Sequence, residues 1–178
     1  MKSGIRIAAF AAAVACMLSC SKEGTEIFRG NYSFKTSGTV KVDAIFVNRG
    51  ENSEDDTEIQ LLMDMQLLME QGQMNVISKD DDRLLVTMNV LGGDVYTTDA
   101  TVQGNTLILE PYTRYVRLEF PDFGHKYMPV TVTGTAEKYE DNVIFTLAYS
   151  GVYEWESGDM SLHAEIVSSD IRTVARQN

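Results

Sequence analysis

Cysteine, histidine and basic charge are all scarce in this chain, and each shortage closes off a class of chemistry. The 178 residues contain only two cysteines. Both, Cys16 and Cys20, lie near the N-terminus, so no disulfide framework can span a domain, and the fold must stand on its apolar core. The two histidines, His125 and His163, are far apart in sequence, and no His, Cys and carboxylate spacing of the kind a zinc site needs surrounds them. Fifteen Lys and Arg stand against 26 Asp and Glu, a net charge of −11. Such a surface repels nucleic acid. No uncharged apolar run approaches the roughly 20 residues of a membrane-spanning helix. No G-x-S-x-G motif occurs, and no cysteine beyond Cys20 is there to serve as a nucleophile. Asp80, Asp81 and Asp82 lack the spacing of an EF-hand loop and read as a solvated turn. Neither catalytic residues nor a metal or cofactor site is expected.

What is present begins with an address. Lys2 and Arg6 precede the apolar segment IAAFAAAVA, which is long enough for a signal-peptide core and too short to span a bilayer. Met17, Leu18 and Ser19 then lead into Cys20. This resembles a bacterial lipobox, with Met17 where leucine is more usual. It predicts a leader over residues 1–19, a lipidated Cys20 and a polar tether over 20–29 that begins SKEGTE. Two other readings compete: Cys16 as the lipidated residue behind a shorter apolar core, or cleavage without lipid. Several acyl chains would hold the protein stably on a membrane. The expected location is the cell outer membrane, with the leaflet left open.

From residue 30 on, the chain alternates. In NYSFKTSGTVKVDAIF, Tyr32, Phe34, Val40, Val42, Ala44 and Phe46 take even positions and polar residues take most odd ones. Period two over this length is a strand with one buried face, and Gly38 in the middle marks a bend or bulge. The pattern returns in RLLVTMNV, DVYTTDATV, LILEPY, VIFTLAYSGVY, MSLHAEIV and IRTVA. Turn-forming KDDD, GGD, QGN, YEDN and ESGD separate these runs. Short connections imply an antiparallel meander of nine or ten strands. One segment, TEIQLLMDMQLLMEQG over residues 57–72, reads two ways. Thr57 as N-cap, Gln60 at the capping-box position and Gly72 as a stop favour a helix over 58–71 lying across one barrel mouth. Alternation of Ile59, Leu61, Met63, Met65 and Leu67 favours a strand.

GNYSFKTSGTV behind a lipoprotein leader, followed by VTMNVLGGDVYTTDATVQGNTLIL and a terminal strand pair, resembles the lipocalin-like (calycin-like) lipoproteins of Bacteroidetes. Tyr32 of Gly30-Asn31-Tyr32 stands where the lipocalin G-x-W pattern has tryptophan. The resemblance implies a mainly β, up-and-down barrel over residues 30–178, of about eight to ten strands with one short helix. It also implies an interior that is either packed or holds one small apolar or amphiphilic ligand. Tyr32, Phe34, Phe46, Tyr96, Phe145 and Tyr149 all fall on rows assigned to that interior and are the expected ligand-binding residues. The alternative is a filled barrel serving as a structural or interaction subunit. Its contact with a protein or glycan would run through an exposed patch near Tyr153 and Trp155.

Overall fold

In the computed structural model, residues 24–50, 55–67, 69–120 and 124–178 are described. The leader, Cys16, Cys20 and part of the acidic loop at 51–58 lie outside them. Ten strands run in chain order: β1 Gly30–Ser37, β2 Thr39–Asn48, β3 Thr57–Gln66, β4 Glu70–Ser78, β5 Arg83–Val90, β6 Val95–Gln103, β7 Thr106–Phe120, β8 Gly124–Tyr139, β9 Asn142–Ser157 and β10 Met160–Gln177. Every pairing is antiparallel, in the order β1-β4-β5-β6-β7-β8-β9-β10-β2-β3, and β1 also pairs β10. The result is a closed eight-stranded barrel.

Ten strands make eight staves because two staves are bent. β1 and β2 run along one neighbour, β10, which pairs β2 through Met160–Val167 and β1 through Arg172–Gln177. β3 and β4 likewise lie along β2 and β1 in turn. The bend between β1 and β2 is at Gly38, whose φ is +155°. A Cβ there would sit 2.6 Å from Ile171 Cδ1 and 2.9 Å from Ile171 Cα. Directly opposite, the register of β10 shifts between Ser168 and Ile171, and the Ser168 hydroxyl donates to the Thr39 carbonyl at 2.8 Å. Glycine on one stave and an irregularity on the next together turn the corner.

The helix expected over 58–71 does not form. Thr57 through Gln66 pairs residue for residue with Asn48 through Thr39, and β4 begins at Glu70. Ladder bonds to β2, and the cover that Leu61, Met63 and Met65 give to the core, outweigh a helical preference of only tenths of a kcal/mol per residue. The cost falls on Leu62, which points outward and is 76% exposed. Gly72, read as a helix stop, lies in β4, where a Cβ would meet the Asn89 carbonyl oxygen at 2.0 Å.

Alternation places the core as expected. Val40, Val42, Ala44, Leu84, Val86, Leu107, Val132 and Ile166 are among the buried residues. Residues 24–29, assigned to the tether from sequence, belong to the fold instead. A turn of 3-10 helix at Gly24–Ile27 leads Phe28 into the core, and Phe28 O accepts a 2.7 Å bond from the buried Tyr32 hydroxyl. The Thr25 hydroxyl reaches Asp81 O on the β4–β5 turn, so this segment plugs the end of the barrel nearest the N-terminus. At the other end the β2–β3, β7–β8 and β9–β10 hairpins rise beyond the barrel. Phe46 and Phe120 meet edge-to-face there at 5.7 Å, and Lys126 Nζ lies 4.0 Å over the Trp155 ring.

The corner is open to test. Gly38→Ala combines a disfavoured φ with a backbone clash and should lower unfolding stability by about 1–3 kcal/mol. A denaturant melt unchanged from wild type would show that the bend does not depend on glycine.

Candidate functional site

The charged residue that the sequence pattern least accommodates is Arg114. On β7, Val116, Leu118 and Phe120 point into the barrel, and Arg114 lies in the same phase. It is 4% exposed. A buried guanidinium must be neutralised and hydrogen-bonded, and three other staves contribute to that. Glu70, first residue of β4, accepts from Arg114 Nη2 at 2.5 Å. Tyr149 of β9 accepts from Nη1 at 3.1 Å. The Tyr96 ring of β6 stacks with its centroid 4.7 Å from the guanidinium carbon. Tyr112, two residues before Arg114, faces the same interior. Burial alone would lower the pKa of Arg114, but Tyr149 and Glu70 outweigh it and the net shift is upward. Arg114 therefore stays charged.

Three polar atoms of this cluster are buried without a hydrogen-bond partner: Arg114 Nε, Glu70 Oε2 and Tyr112 Oη. They come from one cluster and offer, respectively, a donor, an acceptor and a group that can be either. All three are sealed from solvent, and since buried polar atoms are nearly always satisfied they are the least settled part of the cluster. Burial pushes the Tyr112 hydroxyl up in pKa, and pushes Tyr149 up to about 12 although Arg114 pulls it the other way. Both hydroxyls are neutral at ordinary pH.

The cluster lies beside an opening in the barrel wall. β7 pairs β6 only between Thr106 and Leu109, and above Tyr112 its sole partner is β8. β3 pairs only β2. Between these two free edges the β5–β6 hairpin turns early, at residues 91–94. The wall is therefore missing above that turn. The inward row of β3, with Leu61, Met63 and Met65, is only partly covered, unlike the inward rows of β1 and β2. Glu70 and Tyr96 are likewise only half-buried. The Thr98 hydroxyl donates to Glu110 O at 2.8 Å where β6 and β7 part.

The six residues expected to line a ligand pocket divide. Tyr149 and Tyr96 belong to the cluster. Tyr32, Phe34, Phe46 and Phe145 are buried packing residues of the barrel. Glu70, Tyr112 and Arg114 were not foreseen. The signal of Glu70 and Arg114 was charge of opposite sign on the inward phase of two strands, and Tyr112 was one more aromatic on that phase.

Elsewhere the surface is conventional. His125 and His163 sit on β8 and β10, and His163 lies 3.4 Å from Glu154. Among the described residues no three His, Cys, Asp or Glu converge as a metal site would need. Trp155 is half-buried with one face under Lys126, so that face is no free stacking platform. A groove of about 550 Å³ runs along the outside of β1, bordered by Lys35, Gln71, Gln73, Asn89 and Arg176. Gly72 opens its floor to Phe34. No protein-family model and no curated protein matches the chain. The fold and site define a class: a closed antiparallel eight-stranded barrel, consistent with a lipocalin-like one, carrying a buried polar cluster.

Tyr149 supplies a pH test. A tyrosine whose pKa is raised on folding lends stability that is fully present below the free value of about 10 and is lost as pH rises. Unfolding stability should therefore fall as pH climbs from about 10 through about 12. In Tyr149→Phe that slope should be shallower, read from melts across alkaline pH. An unchanged slope would place the linkage on other groups.

Proposed function

We propose that this protein is a non-catalytic cell-envelope lipoprotein that carries a small amphiphilic ligand. In this reading the polar end of the ligand meets Glu70 and Tyr96, the half-buried members of the Arg114 cluster, and its apolar part lies along the half-covered row of β3. One observation carries the proposal: a buried charged cluster, with Glu70 and Tyr96 only half-buried, lies in the barrel beside a gap in its wall. Interior polar groups that fix orientation within apolar walls are what small-molecule sites have in common. The resemblance to lipocalin-like lipoproteins points the same way, as analogy only.

Anchoring at Cys20 gives the carrier an orientation. Cys20 is a few residues before the plug at Gly24–Ile27, so lipid would hold the closed end at the membrane. Glu70 pairs with Thr36 at the far end of β1, and Gly30 pairs with Val76 near the plug. That separation is about 20 Å along the strand. The opening then faces away from the bilayer, toward solvent or a soluble partner.

The outer groove favours a second reading, a packed module that contacts a protein or glycan. Its border is rich in amide side chains, and its only charged members are Lys35 and Arg176, on a strongly acidic protein. Native mass spectrometry of the Cys20→Ser chain, purified without detergent, separates the two. A discrete added mass lost on denaturation supports the carrier; a bare mass supports the module. The anchor is tested apart from the barrel. Wild-type protein should incorporate labelled palmitate and Cys20→Ser should not, and label retained in the variant would refute Cys20 as the attachment point.

A further inference from the structure

We infer that the outer groove along β1 is a binding site for an anionic oligosaccharide, with side-chain amides holding sugar hydroxyls and Lys35 and Arg176 holding a carboxylate. The site lies on the outer face and stands whether or not the interior carries a ligand. Its volume of about 550 Å³ is in the usual range for small-molecule sites. Cross-strand register sets its border in two rows. Asn142, Arg176, Ser33, Gln73 and Asn89 lie side by side on β9, β10, β1, β4 and β5. Five strands make that polar row roughly 19 Å long. Two residues along each strand, Val174, Lys35 and Gln71 form the second row, and a bond from Leu91 N to Gln71 O extends it to Leu91. Leu91, 73% exposed, and Val174 give this row apolar ends.

Lys35 and Arg176 are diagonal cross-strand neighbours, so their long side chains reach one shared anion. No acidic side chain borders the groove, and among the described residues neither cation makes an ion pair. Arg29, Arg49, Lys79 and Arg83, by contrast, each pair with a carboxylate. On a chain with 26 Asp and Glu, two adjacent cations without a carboxylate mark a place for an anion from outside. Gln71, Asn89 and Asn142 likewise make no side-chain hydrogen bond among the described residues. Each amide offers both donors and an acceptor, which is what sugar hydroxyls need. An acidic peptide fits less well. β1, β4, β5 and β10 are each paired on both sides here, so a peptide finds no free edge on which to add as a strand.

Trigalacturonate and galactotriose differ only in their carboxylates, so titrating each calorimetrically into the full chain carrying Cys20→Ser isolates the charge. Trigalacturonate should bind at least about tenfold more tightly, by a margin that shrinks with added salt. Lys35→Gln combined with Arg176→Gln should abolish that preference, and Gln71→Ala should weaken both sugars several-fold. These side chains are exposed, so the melting profile of each variant should match wild type. Lys41→Gln removes an exposed cation outside the groove and should leave binding unchanged. Equal affinity for the two sugars, or a loss in Lys41→Gln as large as in the groove variants, would overturn the anion site. Tighter binding of hexaglutamate than of trigalacturonate would overturn the sugar in favour of an acidic peptide. Binding of none of the three would overturn the site altogether.

Discussion

A guanidinium inside a barrel of valines, leucines and aromatic rings is costly to bury, and much of the local architecture answers that cost. Desolvating one cation without compensation would take several kcal/mol from a fold whose whole stability is of order ten. Glu70 turns inward at the start of β4, Tyr149 offers its oxygen from β9, and Tyr96 lays its ring against the cation from β6. Four staves are thus tied to one side chain. Yet Arg114 Nε, Glu70 Oε2 and Tyr112 Oη remain unpaired. The cluster's place beside the gap in the wall, with Glu70 and Tyr96 half-buried there, is the reason a binding role is proposed for it.

The same staves explain why the cluster borders a gap in the wall. The β5–β6 hairpin is short, whereas β7 to β10 run to 15–18 residues each. Long hairpins close over one another beyond the barrel, with Phe46 against Phe120 and Lys126 over Trp155. Short ones leave the wall open beside β3. At the opposite end Phe28 and the 3-10 turn fill the barrel, so the interior is sealed near the N-terminus and accessible away from it. The proposed anchoring geometry follows from that polarity.

Much of the fold was legible in the sequence because period two is hard to mistake when one face is buried. Turn residues at 79–82, 92–94, 103–105 and 156–159 separate successive strands as expected, and Gly38 bends its stave. Residues 57–72 were not legible. QLLMDMQLLM satisfies a helix locally, and only its register against β2 settles the matter, which is information distributed over another strand. The packing aromatics were placed correctly indoors, but indoors is not a site. Tyr32 spends its hydroxyl on a backbone carbonyl, and Phe34, Phe46 and Phe145 fill space. Arg114 was available to a closer reading, since it shares phase with Val116, Leu118 and Phe120. Glu70 likewise shares phase with Met74 and Val76. That these two opposite charges meet depends on barrel closure, which no local pattern encodes.

The most direct test is a high-resolution crystal structure of the protein purified from its native source without exchange of bound molecules. Density should lie in the gap between β3 and β7, against Glu70 and Tyr96, and extend as an apolar tail toward Met63 and Met65. An empty gap, or β3 closed onto β7, would contradict a carrier and leave a packed barrel in its place.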